Sequence, residues 1–135
     1  MSFLISILVS CAGKLATHEF ESYILKKNTS IDFKFDSDEE GNHNLILEVR
    51  SIFGVIQPNL ILELDLIQPD GKVLTIKKEL TFDKNTLNCS GDFCDQQLTL
   101  ISDLKFQKGI YSMSVKPLNC SNDVYGIMEF RLIQK

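Results

Sequence analysis

Apolar and polar residues alternate along most of this chain. Ile31, Phe33 and Phe35 are interleaved with Asp32, Lys34 and Asp36, and Leu45, Leu47 and Val49 with Ile46, Glu48 and Arg50. Leu60, Leu62, Leu64 and Leu66 stand against Glu63 and Asp65. A period of two places alternate side chains on opposite faces of a strand, so each run predicts a strand with one buried and one wet face. Stretches 73–82, 98–101, 109–115 and 125–133 carry weaker versions of the same signal, giving about seven or eight strands.

Turn chemistry separates these runs. Residues 36–42, DSDEEGN, form a polar break, and QPDG at 68–71 sets Pro before Asp-Gly, a hairpin signal; Lys108-Gly109 precedes another apolar run. Short strands with frequent turns and no long helical pattern predict an all-β chain folded as an antiparallel β-sandwich. A brief helix between Asn85 and Gln97 is the one alternative local reading. No internal repeat or low-complexity segment is present.

Composition narrows the function classes. At 135 residues and 44% hydrophobic, the chain suits one core. A net charge of -4, with no basic cluster larger than Lys26-Lys27 or Lys77-Lys78, offers no cationic field for a nucleic-acid backbone. No apolar run approaches the ~20 residues of a membrane-spanning helix. Any membrane contact is therefore expected at the N-terminus.

There, residues 3–9 (FLISILV) are apolar and lead into Ser10 and Cys11. A short apolar region ending in a small residue has the form of an export signal, and Leu8-Val9-Ser10-Cys11 resembles the bacterial lipobox, whose cysteine receives a diacylglyceryl group and becomes the first residue after cleavage. Two or three acyl chains, each buried methylene contributing ~0.8 kcal/mol, hold a protein to a bilayer where one would not. The expected organisation is a lipoprotein signal at 1–10, a lipidated tether at 11–17 and a β-sandwich domain at 18–135. No Lys or Arg precedes Cys11, and ten residues are short for a signal, which leaves room for a start upstream of Met1. The competing reading makes 3–9 a buried strand and Cys11 a core thiol.

With Cys11 lipidated, Cys89, Cys94 and Cys120 remain, enough for one disulfide and one free thiol. Cys89 and Cys94 are the favoured pair, and Cys120, in a similar Asn-Cys-Ser context, is an alternative partner of either. A metal site from Cys89, Asp92, Cys94 and His43 is disfavoured, because a structural zinc usually shows two close-spaced ligand pairs. Asp36, Asp38, Glu40 and Gly41 have the spacing of half an EF-hand loop, but the bidentate position falls on Leu47, so a solvated hairpin tip is the better reading.

His18 and His43 are the only histidines, and neither lies in a nucleophile-elbow or HExxH context. No catalytic residue, metal, cofactor or small-molecule substrate is expected. The sequons at Asn28, Asn88 and Asn119 matter only in a eukaryotic secretory route. There is no Trp, and most of the nine Phe fall on the apolar phase of predicted strands. Tyr111 and Tyr125 suit either core or surface.

The ordered segments FKFD, NLILEVR, PNLILELDLIQPDGK, SGDFCD, FQKGIYSMSV and GIMEFRLIQK, over roughly residues 30–135, resemble the gliding-motility lipoprotein H family (GldH) of Bacteroidota. That family has a lipobox cysteine, a PDGK hairpin and a closing strand of similar form. This chain differs in lacking Trp and in carrying Cys89 and Cys94 in a loop. The resemblance implies a non-catalytic lipoprotein, facing the periplasm from the cell membrane or outer membrane, that docks with other envelope proteins of the gliding motility and type IX secretion machinery. Two alternatives remain: a sandwich lipoprotein of another, type VI-like secretion assembly, and a glycan- or peptide-binding module. The binding module predicts a concave patch with several exposed aromatics. Docking predicts a flat sheet face or a bare edge strand.

Overall fold

The computed structural model describes residues 13–55, 59–83 and 87–135. The expected signal, the tether residues Cys11 and Ala12, and therefore the lipidation position itself lie outside the described residues. Among the described residues there are eleven strands: β1 (Lys14–Glu19), β2 (Ile24–Leu25), β3 (Ile31–Ser37), β4 (Gly41–Ile52), β5 (Asn59–Ile67), β6 (Val73–Thr81), β7 (Asn88–Ser90), β8 (Phe93–Phe106), β9 (Gly109–Pro117), β10 (Val124–Tyr125) and β11 (Ile127–Gln134). They form a five-stranded sheet ordered β1-β11-β4-β8-β7, a four-stranded sheet ordered β3-β9-β5-β6 and a small β10-β2 ribbon. Every pairing is antiparallel. The chain is an antiparallel β-sandwich.

The alternation dictates the core. Leu60, Leu62, Leu64 and Leu66 are fully buried, as are Leu45, Leu47 and Val49 across the sandwich, with Phe33, Phe35, Met113 and Val115 beside them. Each such side chain contributes roughly 1.5–3 kcal/mol by leaving water. Phe35 stacks on Tyr111 with ring centroids 5.1 Å apart, and Phe106 closes the cluster 5.6 Å from the same tyrosine. The buried phenol oxygen of Tyr111 accepts the Gln107 N–H at 2.8 Å, which satisfies it away from water.

Several expectations need correction. The described residues hold eleven strands, not seven or eight, because β2, β7 and β10 are two or three residues long and too short to show a period. The candidate helix is instead largely the β7–β8 hairpin, with Cys89 directly opposite Cys94. Residues 14–17, assigned to the tether, belong to β1: the register shifts between Lys14 and Ala16, so adjacent Leu15 and Ala16 both pack against the core and no alternation is visible.

Strand directions sort the connections into two ends. The links at 38–40, 68–72 and 107–108, together with Gly13, lie at one end, here the turn end. The polar break after β3 is thus a crossover between sheets and not a hairpin tip, since β3 and β4 belong to different sheets. QPDG does form a hairpin: Gly71 takes φ +91°, its N–H donates to Gln68 O at 2.9 Å, and Gln68 N–H donates to Lys72 O at 2.9 Å. The opposite, loop end collects the longer connections around 20–30, 53–55, 87–92 and 118–126.

Candidate functional site

At the loop end the backbone ties four connections together. Gly126 N–H donates to Tyr23 O at 2.7 Å, and Gly126 O accepts from Ile52 N–H at 2.8 Å. The next residue, Phe53, donates its N–H to Asp92 O at 2.8 Å, while Ile52 stands opposite Phe93 in the β4–β8 ladder. In the β10–β2 ribbon, Val124 and Leu25 turn into the core and leave Tyr125 and Ile24 outward. The result is four aromatic side chains held at one end of the sandwich in the open: Tyr23, Phe53, Phe93 and Tyr125, exposed by 46%, 56%, 46% and 65%.

Tyr23 sits in strained backbone. Ser22 and Tyr23 take φ of 56° and 57° within a three-residue 3-10 turn, Glu21–Tyr23. Left-handed geometry at consecutive non-glycine residues costs on the order of 1–3 kcal/mol each and clusters at functional sites. Beside this turn a groove of about 310 Å³ is lined by His18, Phe20, Glu21, Ile24, Lys26 and Ser30. Ile24, the cross-strand neighbour of Tyr125, places the tyrosine at the groove's margin. Lys27 N–H donates to Asp123 Oδ1 at 3.0 Å, tying the β2–β3 connection to the one before β10. Asn119 Oδ1 accepts Ile61 N–H at 2.8 Å and fixes the start of the 118–123 stretch. Aromatic faces next to hydrogen-bonding side chains can stack on a flat ligand and orient its polar groups.

The sulfur atoms of Cys89 and Cys94 are bonded at 1.99 Å, and Cys120 is free and half-buried. Burial pushes the Cys120 thiol up from its ordinary range. All three cysteines lie at the loop end. His43 pairs with Leu104, near the other end of β4 from the Ser51–Cys94 pair, so His43 and the two cysteines do not converge. Among the described residues no group of three or more metal-ligating side chains forms, including Asp36, Asp38 and Glu40. His18 packs edge-on against Phe20 and Phe33, at 4.7 and 6.3 Å, while lining the groove.

On the outer face of the five-stranded sheet, Arg50 and Arg131 are paired with carboxylates. Arg50 Nε and Nη2 donate to Asp95 Oδ1 and Oδ2 at 3.0 and 3.2 Å. Arg131 lies 3.3 Å from Glu48 and 2.5 Å from Glu129, the latter an ion pair without aligned hydrogen-bond geometry. The hydrogen bond to Asp95, then its charge, raises Arg50 above the usual guanidinium range. Such a ladder is a solvated, stabilising surface.

Tyr23, Phe53 and Phe93 escaped the sequence reading, because none lies in an alternating run. Two of them carried a local signal: Phe53 precedes a glycine, and Phe93 follows Gly91 by two residues, whereas Tyr23 has no glycine near it. An aromatic residue beside a turn glycine projects from a connection instead of filling a core.

No family model matches the chain, and no curated protein matches it. Among solved structures, a carbohydrate-binding module from glycoside hydrolase family 9 (Cel9A) of Ruminococcus flavefaciens FD-1 is similar with a TM-score of 0.54 and 12% identity, covering 90% of this chain and 98% of that one. The mosquito-larvicidal Cry4Aa toxin of Bacillus thuringiensis gives a TM-score of 0.55 at 11% identity, over 88% of this chain and 21% of the toxin. The insecticidal Cry8Ea1 toxin of the same species gives 0.50 at 11%, over 83% and 19%. The chain thus spans about a fifth of each toxin. These likenesses show the fold, an antiparallel β-sandwich of a form that a carbohydrate-binding module also takes.

Proposed function

We propose that this chain is a non-catalytic binding protein of a bacterial cell envelope, anchored through lipid on Cys11, that engages its ligand with the loop end. The observation that carries the reading is the gathering of Tyr23, Phe53, Phe93 and Tyr125 in the open at the end opposite Gly13. Monomeric surfaces rarely leave several large aromatics grouped in this way without a partner. Exposed aromatic rings at the same end as a groove carrying His18, Glu21, Lys26 and Ser30, with Tyr125 opposite its Ile24, suit a polysaccharide, whose apolar sugar faces stack on rings and whose hydroxyls take hydrogen bonds.

A second reading keeps the same end and changes the partner. The ordered run from FKFD to GIMEFRLIQK favours a docking component of the gliding motility and type IX secretion machinery, with the exposed aromatics as protein-contact anchors.

Isothermal titration with soluble envelope polysaccharides, beside affinity capture from envelope extract, tests both. Tyr125→Ala and Phe53→Ala should each weaken binding by about tenfold or more while leaving unfolding within ~0.5 kcal/mol of the parent. Sugar binding lost in both variants supports the first reading. A defined protein complex lost in both, without sugar binding, supports the second. Undiminished binding in both variants overturns the assignment of the loop end.

A further inference from the structure

At the turn end the outer face of the four-stranded sheet carries an apolar corner. Ile67, Val73 and Ile110 are exposed by 46%, 55% and 47%. Ile67 stands directly opposite Val73, and on its other side opposite Ser112, so Ile110 lies one step further toward the turn on the same face. Pro69 extends the patch: a Cβ on Gly109 would stand 3.0 Å from the Pro69 Cβ, which brings the proline against the start of β9 beside Ile110. Lys72 and Lys108 are exposed next to the patch, as are Asp70 and the 36–40 carboxylates, with Asp36 directly opposite Ile110; Lys108 Nζ is 3.8 Å from Glu40.

We propose that this corner rests on the lipid bilayer, in the boundary between headgroups and acyl chains. The inference depends on the lipid anchor of the preceding section. Gly13 lies at the turn end, where Gln134 N–H donates to its carbonyl, and Cys11 is two residues earlier in the chain. Two residues reach at most about 7 Å, so an acylated Cys11 brings the turn end down to the membrane surface. The exposed apolar side chains at that end then meet an apolar phase, and their burial, not charge attraction, drives the contact. A second copy of the chain is the poorer occupant. A stable dimer buries about 800 Å² on each partner, far beyond three aliphatic side chains and a proline. Bilayer contact also fixes the direction of the sandwich: the turn end faces down and the loop end, with its aromatics, faces away from the lipid.

The chain has no tryptophan, so single substitutions can report depth. Acylated full-length protein carrying Val73→Trp, Ile110→Trp or, at the far end, Tyr125→Trp is floated with phosphatidylethanolamine–phosphatidylglycerol vesicles containing bromo-acyl phosphatidylcholine. The two corner tryptophans should be quenched about twofold and blue-shifted, with Tyr125→Trp unchanged. Flotation without quenching at either corner position overturns the contact and leaves the anchor standing. Failure to float, together with absence of palmitate label on Cys11, removes the anchor and the contact with it. A corner tryptophan that is blue-shifted without vesicles in a protein of dimeric mass assigns the corner to a second copy and overturns the proposal.

Discussion

Gly126 lies against Ile52 more closely than any other residue type would permit. Ile52 N–H donates to Gly126 O at 2.8 Å, and a Cβ on Gly126 would stand 2.6 Å from Ile52 Cγ1 and 2.9 Å from Cδ1. The glycine also holds φ +100°, a conformation L side chains rarely adopt. This contact joins β4 to the β10–β11 junction, and through the Gly126 N–H it holds Tyr23. Gly126→Ala should therefore destabilise the fold by about 2 kcal/mol or more, from backbone strain and overpacking together. Urea unfolding measures the loss. Because the same residue positions Tyr23 and Tyr125, ligand affinity should fall even at temperatures where the variant remains folded.

Asp70 offers a pH-dependent readout at the opposite end. Its Oδ1 accepts Lys72 N–H at 3.0 Å, and its Oδ2 accepts from Gln107 Nε2 at 3.2 Å. The backbone hydrogen bond from Lys72 is the main reason its pKa lies below the ordinary carboxylate range. A carboxylate depressed in the fold adds stability that is present above its unfolded pKa and lost as pH falls through the folded value. Carbon-detected NMR titration should place the Asp70 midpoint below that of a model aspartate, and Asp70→Asn should remove the matching part of the acid sensitivity. Since the carboxyl is fully open to solvent, added salt should shrink the effect.

Much of the sandwich was legible because long strands with one wet face announce themselves. The four alternating leucines of β5 and the QPDG turn after them led to the observed β5–β6 hairpin. Ile46 shows where the period misleads. The alternation puts it on the wet face with Glu48 and Arg50, and it stands outside the core cluster that holds Leu45 and Leu47, yet it is only 5% exposed, with Ile133 opposite it on one side and Thr99 on the other. The loop end was less visible for a physical reason. Tyr23, Phe53 and Tyr125 are placed by hydrogen bonds among segments distant in sequence, and no local pattern encodes those partners. Tyr111 and Tyr125 looked alike in the sequence; one is fully buried in a nine-residue strand and the other stands out from a two-residue ribbon.

Arg50 and Asp95 face one another across β4 and β8 and make two parallel hydrogen bonds, a fork geometry that favours charge pairing. Their side chains are 39% and 36% exposed, so solvent screens much of the attraction. A double-mutant cycle with Arg50→Ala and Asp95→Ala should give a coupling of about 0.5–1 kcal/mol, falling as salt rises. Arg50→Lys should lose most of it, because an ammonium cannot reproduce both bonds. A coupling well above that range would mean that the pair is shielded from water in solution.

The Cys89–Cys94 bridge closes a hairpin whose two cysteines already stand opposite each other. Loop-closure entropy for a ring of this size amounts to about 2 kcal/mol, and the turn supplies part of that restriction without the bond, so Cys89→Ser/Cys94→Ser should cost about 1–2 kcal/mol. Phe93 sits within the closed ring, and its neighbour Asp92 accepts the Phe53 N–H, so the bridge also holds two of the aromatics in place. The double variant should then lose ligand affinity by a larger factor than any surface substitution on the five-stranded sheet. Cys120 is a poor agent for reshuffling the bridge, because burial raises its pKa and leaves little thiolate at neutral pH. Peptide mapping after alkylation should find Cys120 modified slowly near pH 7 and much faster above pH 9, with Cys89 and Cys94 unmodified until a reductant is added. Rapid labelling of Cys89 in unreduced protein would show that the bridge is absent in solution.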